Sequence, residues 1–313
     1  MMTRREAIKA GAFAGIALAA LPRAIAQTAS SAPSLTADLA AQIRADTTLS
    51  DVRRMAQDLL KGGLNAGSGY DQVWIRDANT FIEVALEVNP PQRFREALLN
   101  FFKFQGDAGD IVDGYRRGDP KQAHGARVSP LAPGFIAFKN SVETDQESSL
   151  VQAIGKYVAA TNDKTILDEV ITGVSVRDRL GRALNYVLTE RFDRNHGLVW
   201  GGTRADWGDV QPEDSPGVVL NARSHRALTI YDSAMLLIAL NDYLQLIGED
   251  SSAVRHWTRV RDQLKHNARQ HLWDTSNRKF IPHLYLDGSP FPKDFNEQAI
   301  YYHGGTAVAI EAG

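Results

Sequence analysis

An alternation between two kinds of helix limits what this chain can fold into. From Tyr231 to Leu246 the sequence is apolar on every face, centred on Ala234-Met235-Leu236-Leu237-Ile238-Ala239-Leu240, as a helix enclosed by protein requires. The next segment, Ser252 to Leu272, is one-sided: Val254, Trp257, Val260, Leu264, Ala268 and His271/Leu272 recur at three- and four-residue steps. The preceding pair repeats this, with an apolar-rich Glu147 to Val158 and a striped helix from about Arg177 to Phe192 carrying Leu180, Ala183/Leu184 and Val187/Leu188. Both pairs close alike: an aromatic (Phe192, Trp273), an Asp/Asn turn, then a short extended apolar segment. Phe192 and Trp273 are 81 positions apart and Tyr157 and Tyr243 are 86 apart, which predicts a repeat of inner helix, outer helix and long loop. Enclosed helices alternating with half-exposed ones predict a double ring.

Earlier helices are predicted at Leu35–Lys61, Asp77–Glu87 and Pro91–Phe104, the last opening on a proline suited to a first turn. About eight helices result. The sequence runs out at Ala307–Gly313, inside a helix just begun, so C-terminal hairpins are expected to be missing. With 313 residues, 43% of them hydrophobic, the chain can bury a sizeable core. A formal charge of −2 supplies no basic field for nucleic acid. The absence of cysteine excludes disulfides, thiol nucleophiles and thiolate metal sites.

Residues 1–26 have the order of an export signal: basic Arg4, Arg5 and Lys9, an apolar run from Ala10 to Leu21, and Ala24-Ile25-Ala26 as a small-x-small cleavage site. The run is too short to span a bilayer, so no permanent membrane anchor is expected. The paired arginines resemble a twin-arginine signal, which implies transient contact with that export machinery and a periplasmic or secreted destination. Residues 27–34 are predicted to be a linker and 35–313 the folded domain.

Four segments gather carboxylates, aromatics and arginines. In Tyr70–Ala78, Trp74, Arg76 and Asp77 precede an apolar helix; Asp77 could cap it, or the aromatic plate beside an Arg/Asp pair could hold a polyol. In Asn140–Ser149, Glu143, Asp145 and Glu147 enter an enclosed helix, more carboxylates than a cap needs, which aims Glu143 and Asp145 at a cavity. In Gly197–Asp209, Trp200, Arg204, Asp206, Trp207 and Asp209 lie among glycines; the tryptophans either cover the core or line a site. In Phe295–Gly305, Glu297, Tyr301 and His303 precede a helix and could simply initiate it. The eight histidines form no compact ligand set, and His256, His266 and His271 are predicted at helix surfaces or in packing. No cofactor or metal is expected, with only carboxylate-bound calcium left open.

With these segments in order, the chain resembles the six-hairpin glycosidases, whose fold is an all-α (α/α)6 toroid and which include glucoamylases, trehalases and cellobiose phosphorylases. Val73-Trp74-Ile75-Arg76-Asp77 is similar to that group's sugar-gripping Trp-x-Arg-Asp loop. Arg204-Ala205-Asp206-Trp207-Gly208-Asp209 is similar to the Asp-Trp-Asn-Asp loop that carries the acid in its phosphorylases, with Gly208 in place of Asn.

The resemblance implies an inverting, exo-acting glycoside hydrolase acting on an oligosaccharide or glycoside. Asp209 would be the general acid, its pKa raised by burial near Trp200 and Trp207, and Asp206 its substitute. Glu143 and Glu297 are the candidates for the base. Trp74, Arg76, Asp77, Asp145, Trp200, Arg204, Trp207, Tyr301 and His303 would bind substrate. The rival expectations are a sugar phosphorylase on the same fold, a histidine-dependent epimerase acting through His303 and His225, and a non-catalytic glycan-binding protein.

Overall fold

The computed structural model describes residues 32–65, 69–119, 121, 125–205, 208–213, 217–248 and 252–313. The export signal and most of the linker lie outside the described residues, as do Asp206 and Trp207. Two compact units divide the chain between Leu59 and Leu60. The first holds α1 (Ala32–Ala45) and nearly all of α2 (Thr47–Leu60). The single helix expected at Leu35–Lys61 is therefore two, interrupted at Asp46, whose carboxylate accepts from Thr48 N at 2.9 Å. Ala32, Pro33 and Ser34, read as linker, already belong to α1.

The second unit alternates the two helix types as expected. Its helices are α3 (Ile75–Ala85), α4 (Pro91–Lys103), α5 (Gln146–Thr161), α6 (Val176–Glu190), α7 (Ile230–Ile247), α8 (Ser252–Leu272) and α9 (His303–Ala312). Nine α-helices are thus present among the described residues. Helix α5 packs against α3, α4, α6 and α7, which explains why every residue from Gln146 to Ile154 is buried. Helix α7 packs against α5, α6, α8 and α9 and buries Ile230 to Leu240 without a break. Outer helices bury one stripe each: Arg179, Leu180, Ala183, Leu184 and Val187 in α6, and Trp257, Leu264, Ala268 and Leu272 in α8. Helices α3, α5, α7 and α9 form a row of neighbours.

The first three helices of the row run parallel and in register. Asn79 Nδ2 donates to Gln152 Oε1 at 3.0 Å, and Gln152 Nε2 donates to the Met235 carbonyl at 2.8 Å. These residues stand at similar distances from the starts of α3, α5 and α7, so the three N-termini converge. Starts and stops follow local chemistry. Ser175 and Thr229 each cap by accepting the N–H three residues on, while Asp178 and Asp232 accept their hydroxyls in return. Asn162 ends α5 at φ 59°, a left-handed conformation that asparagine tolerates.

Short strands occupy the loops between the helices, as expected of an all-α chain with short β segments in its loops. Strands β1 (Val73–Trp74), β2 (Gly114–Arg117) and β3 (Phe135–Phe138) make one antiparallel sheet. After it, β4 (Val170–Ile171) and β5 (Val174–Ser175) form a hairpin ahead of α6. Strands β6 (Phe192–Asp193), β7 (Leu198–Gly202), β8 (Arg226–Leu228) and β11 (Leu284–Tyr285) make a second antiparallel sheet. The matching chain ends after α6 and α8 are equivalent hairpins: Phe192 pairs with Val199, and in β9 (Trp273–Asp274) and β10 (Lys279–Phe280) Trp273 pairs with Phe280. Strands β1 and β8 lead directly into α3 and α7, so both sheets border the converging N-termini.

The polar rung across the inner helices is a testable element. Gln152→Ala leaves the Asn79 amide without its acceptor and opens a buried gap, and it should lower unfolding free energy by about 2–3 kcal/mol. Urea denaturation followed by circular dichroism measures this, and an unchanged midpoint would contradict the in-register packing.

Candidate functional site

Where α3, α5 and α7 begin, the chain concentrates charge. Helix N-termini carry partial positive charge, so three of them together favour carboxylates at this end of the row. Asp145 is the N-cap residue of α5, but its side chain caps nothing. Instead it receives Arg76 from the first turn of α3 as a bidentate partner, Nε at 2.7 Å and Nη2 at 3.0 Å, and Tyr231 OH from the first turn of α7 at 2.8 Å. Arg76 also pairs with Glu143. Burial acts to raise the Asp145 carboxyl, but Arg76, Arg204 and the Tyr231 hydroxyl together outweigh it, and the group stays below its usual range.

Two neighbouring carboxyls move the other way. Glu143 is 1% exposed, and burial first, then the charge of Asp145, push it well above the ordinary glutamate range. Asp113, half-buried on the segment entering β2, is raised to about 6, chiefly by burial and also by Asp145. The charge of Asp113 adds to the shift of Glu143. Three carboxyls of different proton affinity therefore meet one guanidinium. Asp77, also half-buried, is raised by burial against the opposing pull of Arg76.

The strands place these groups. Trp74 pairs in register with Gly114, where a Cβ would come within 2.4 Å of the indole ring; only glycine lets the ring lie there. Ile75 N donates to the Asp113 carbonyl at 2.8 Å, locking Asp113 opposite the start of α3. The half-buried Trp74 ring also meets Phe138, with centroids 6.2 Å apart. Beneath, Lys139 Nζ pairs with Glu147 Oε1 at 2.9 Å, so Glu147 is a buried strut rather than a further acid facing solvent.

Arg204, expected to hold substrate, is buried. Its Nη2 donates to Asp232 Oδ1 at 2.5 Å, and both side chains are 0% exposed. Strand alternation explains a second difference. The Gly201 position faces Arg204 and Asp232. Trp200 therefore points to the opposite side, where its ring lies between Arg191 at 4.7 Å and Arg226 at 5.5 Å. Trp200 is thereby engaged in cation–π packing rather than lining the carboxyl cluster.

The loop carrying Asp209 docks beside the cluster through backbone: Asn140 Nδ2 donates to the Asp209 carbonyl at 3.2 Å. The Asp209 carboxylate itself is exposed, so the burial expected to raise it is not found. Asn140 in turn joins Glu143, since Gln146 Nε2 donates to both the Asn140 carbonyl and Glu143 Oε2, each at 3.2 Å.

The last segment forms its own network. Glu297 Oε1 meets His283 Nδ1 at 2.6 Å and accepts Tyr285 OH at 2.7 Å, while His283 Nε2 faces the Arg204 carbonyl at 2.7 Å. Burial acts to raise Glu297, but His283 and Tyr285 hold it below the usual range. That anchors the Arg204 loop and makes Glu297 a poor match to a free base. Tyr301 is exposed, with Lys279 Nζ 4.5 Å above its ring, and exposed His303 stacks against it at 6.4 Å. Of the predicted residues, the structure brings together Trp74, Arg76, Asp77, Glu143 and Asp145. It adds Asp113, Tyr231 and Asp232, which no motif in the sequence marks. No group of three or more metal-ligating side chains is found among the described residues.

No protein-family model matches the chain, and no curated protein sequence matches it. Among solved structures it is similar to a rhamnosidase from Klebsiella oxytoca with rhamnose bound, at 15% identity and a TM-score of 0.49. The similarity covers 84% of this chain and 44% of that one, so the chain spans less than half of the rhamnosidase's length.

Asp145→Asn tests the cluster. It leaves the half-buried Arg76 without its bidentate partner and should cost about 3–5 kcal/mol of folding stability, read by urea denaturation. A variant as stable as the parent would show that Asp145 does not tie the three helices.

Proposed function

We propose that this chain is an exported glycoside hydrolase of the (α/α)6 toroid type, inverting and exo-acting. The observation that carries this is the separation of proton affinities within one carboxyl group cluster. Asp145 is held ionised by Arg76, while Asp113 and Glu143 are raised beside it. Glycosidic cleavage needs a carboxyl that is protonated near neutral pH and close to an ionised one, because the leaving oxygen must receive a proton as the bond breaks. Asp113 is half-buried and accessible, so it supplies that proton. Glu143, buried beside it and also raised, keeps its own proton. Trp74 offers a ring face to the terminal sugar, with Asp77 taking hydroxyls.

An inverting reaction needs a second carboxylate across the sugar that activates water. Asp209, whose carbonyl docks on Asn140, supplies it in this proposal, with Asp206 as its substitute. The row of parallel inner helices backed by outer ones supports the toroid. The basic, apolar and small-x-small order of residues 1–26 supports export to the periplasm or exterior by the twin-arginine route.

Turnover of a glycoside panel should fall as pH rises through about 6, where Asp113 loses its proton. Asp113→Asn should reduce kcat by roughly a hundredfold or more and remove that limb of the profile. Retention of the limb in the variant assigns the proton donor elsewhere. Asp209→Asn should abolish nearly all hydrolysis with sugar binding largely intact, and full turnover would exclude it as the second carboxylate. Trp74→Ala should raise KM with a smaller effect on kcat.

A further inference from the structure

A cavity of about 350 Å³ opens between the end of α4, the β4–β5 hairpin and the start of α6, and it shares no lining residue with the carboxyl cluster. Three cations line it: Lys103, Arg179 and Arg182, against the single carboxylate of Asp107. Arg179 is the unusual one. It is 7% exposed, yet no carboxylate lies within ion-pair distance of it among the described residues. Its guanidinium is held by neutral acceptors: Nη1 donates to Gln105 Oε1 at 2.9 Å, and Nη2 donates to the Ile171 carbonyl at 2.6 Å and Thr172 Oγ1 at 2.7 Å. Its Nε is buried and donates to nothing. Burial, and then the charge of Arg182, pull Arg179 below the ordinary guanidinium range, as expected for a cation without a counter-ion. The hairpin residue presenting that hydroxyl, Thr172, sits at φ 49°, a conformation a β-branched residue rarely holds.

Burying a cation without an anion is costly, and an anion in the cavity would offset that cost. We propose that this cavity is a binding site for a small phosphate monoester. The wall carries two more positive charges than negative ones, which matches a phosphoryl group of charge near −2 better than a carboxylate of −1. Lys103 and Arg182 would face its oxygens, with the charge of Arg179 in the wall behind them. The volume lies in the range of organic-ligand pockets and leaves room for a sugar-sized body beyond the phosphoryl group. This site stands apart from the carboxyl cluster and does not depend on the hydrolase proposal.

Calorimetric titration of the full chain with glucose 6-phosphate, inorganic phosphate and glucose tests it. The monoester should bind with a Kd of about 1 mM or tighter, inorganic phosphate about tenfold more weakly, and glucose not at all. Lys103→Ala and Arg182→Ala should each weaken the monoester about tenfold with an unchanged melting temperature. Arg179→Gln should abolish binding; because Arg179 also ties Gln105 to the hairpin, the Lys103 and Arg182 variants decide the matter if that protein fails to fold. The proposal is overturned if the monoester gives no saturable binding, if inorganic phosphate binds equally well, or if Lys103→Ala and Arg182→Ala leave the affinity unaltered.

Discussion

Asp145 is the point on which the second unit depends. One carboxylate accepts Arg76 from α3 and Tyr231 from α7 while belonging to the start of α5. Without it, three positively polarised helix ends and a half-buried guanidinium would lose the one carboxylate that bridges α3, α5 and α7. Because the group must stay ionised to hold Arg76, its neighbours bear the cost of crowding. Glu143 and Asp113 keep their protons longer because they are buried and, beyond that, because Asp145 beside them is charged. The interaction that fixes helix geometry thus also creates groups with acid character, and structure and chemistry are not separable at this site.

Periodicity made the helices legible. The enclosed run around Ala234–Leu240 and the stripe of Trp257, Leu264 and Ala268 each fixed a helix and its degree of burial, because covering by neighbours leaves a direct mark on composition. The motif around Trp74, Arg76 and Asp77 and the acidic entry to α5 were visible because residues of unlike chemistry lie side by side in sequence. Asp113 carried no such mark. Its immediate neighbours Val112 and Gly114 carry no charge, and it reaches the cluster only because β2 pairs with β1 and sets it opposite Ile75.

Arg204 and Trp200 show the opposite error. A loop rich in tryptophan, arginine and aspartate looks like a binding surface, but period-two alternation in β7 sends Gly201 and Trp200 to different sides. Arg204 is then used up on Asp232, and Trp200 on two arginines. Which side a strand residue takes depends on register with β8, and register is a property of two distant segments. Glu297 is similar: its neighbours His283 and Tyr285 come from the strand region, so its engagement could not be seen locally.

The rung from Asn79 through Gln152 to Met235 joins partners separated by 73 and 83 positions. Each inner helix therefore meets its neighbour only after an outer helix and a long loop have been laid down between them. Closing such spans carries an entropic penalty before any packing offsets it, which makes assembly of the row slow relative to formation of its individual helices. Until the row closes, helices as apolar as α7 stand uncovered beside unpaired carboxylates, so the unit's exposure to misassociation is set by the spacing of its repeats.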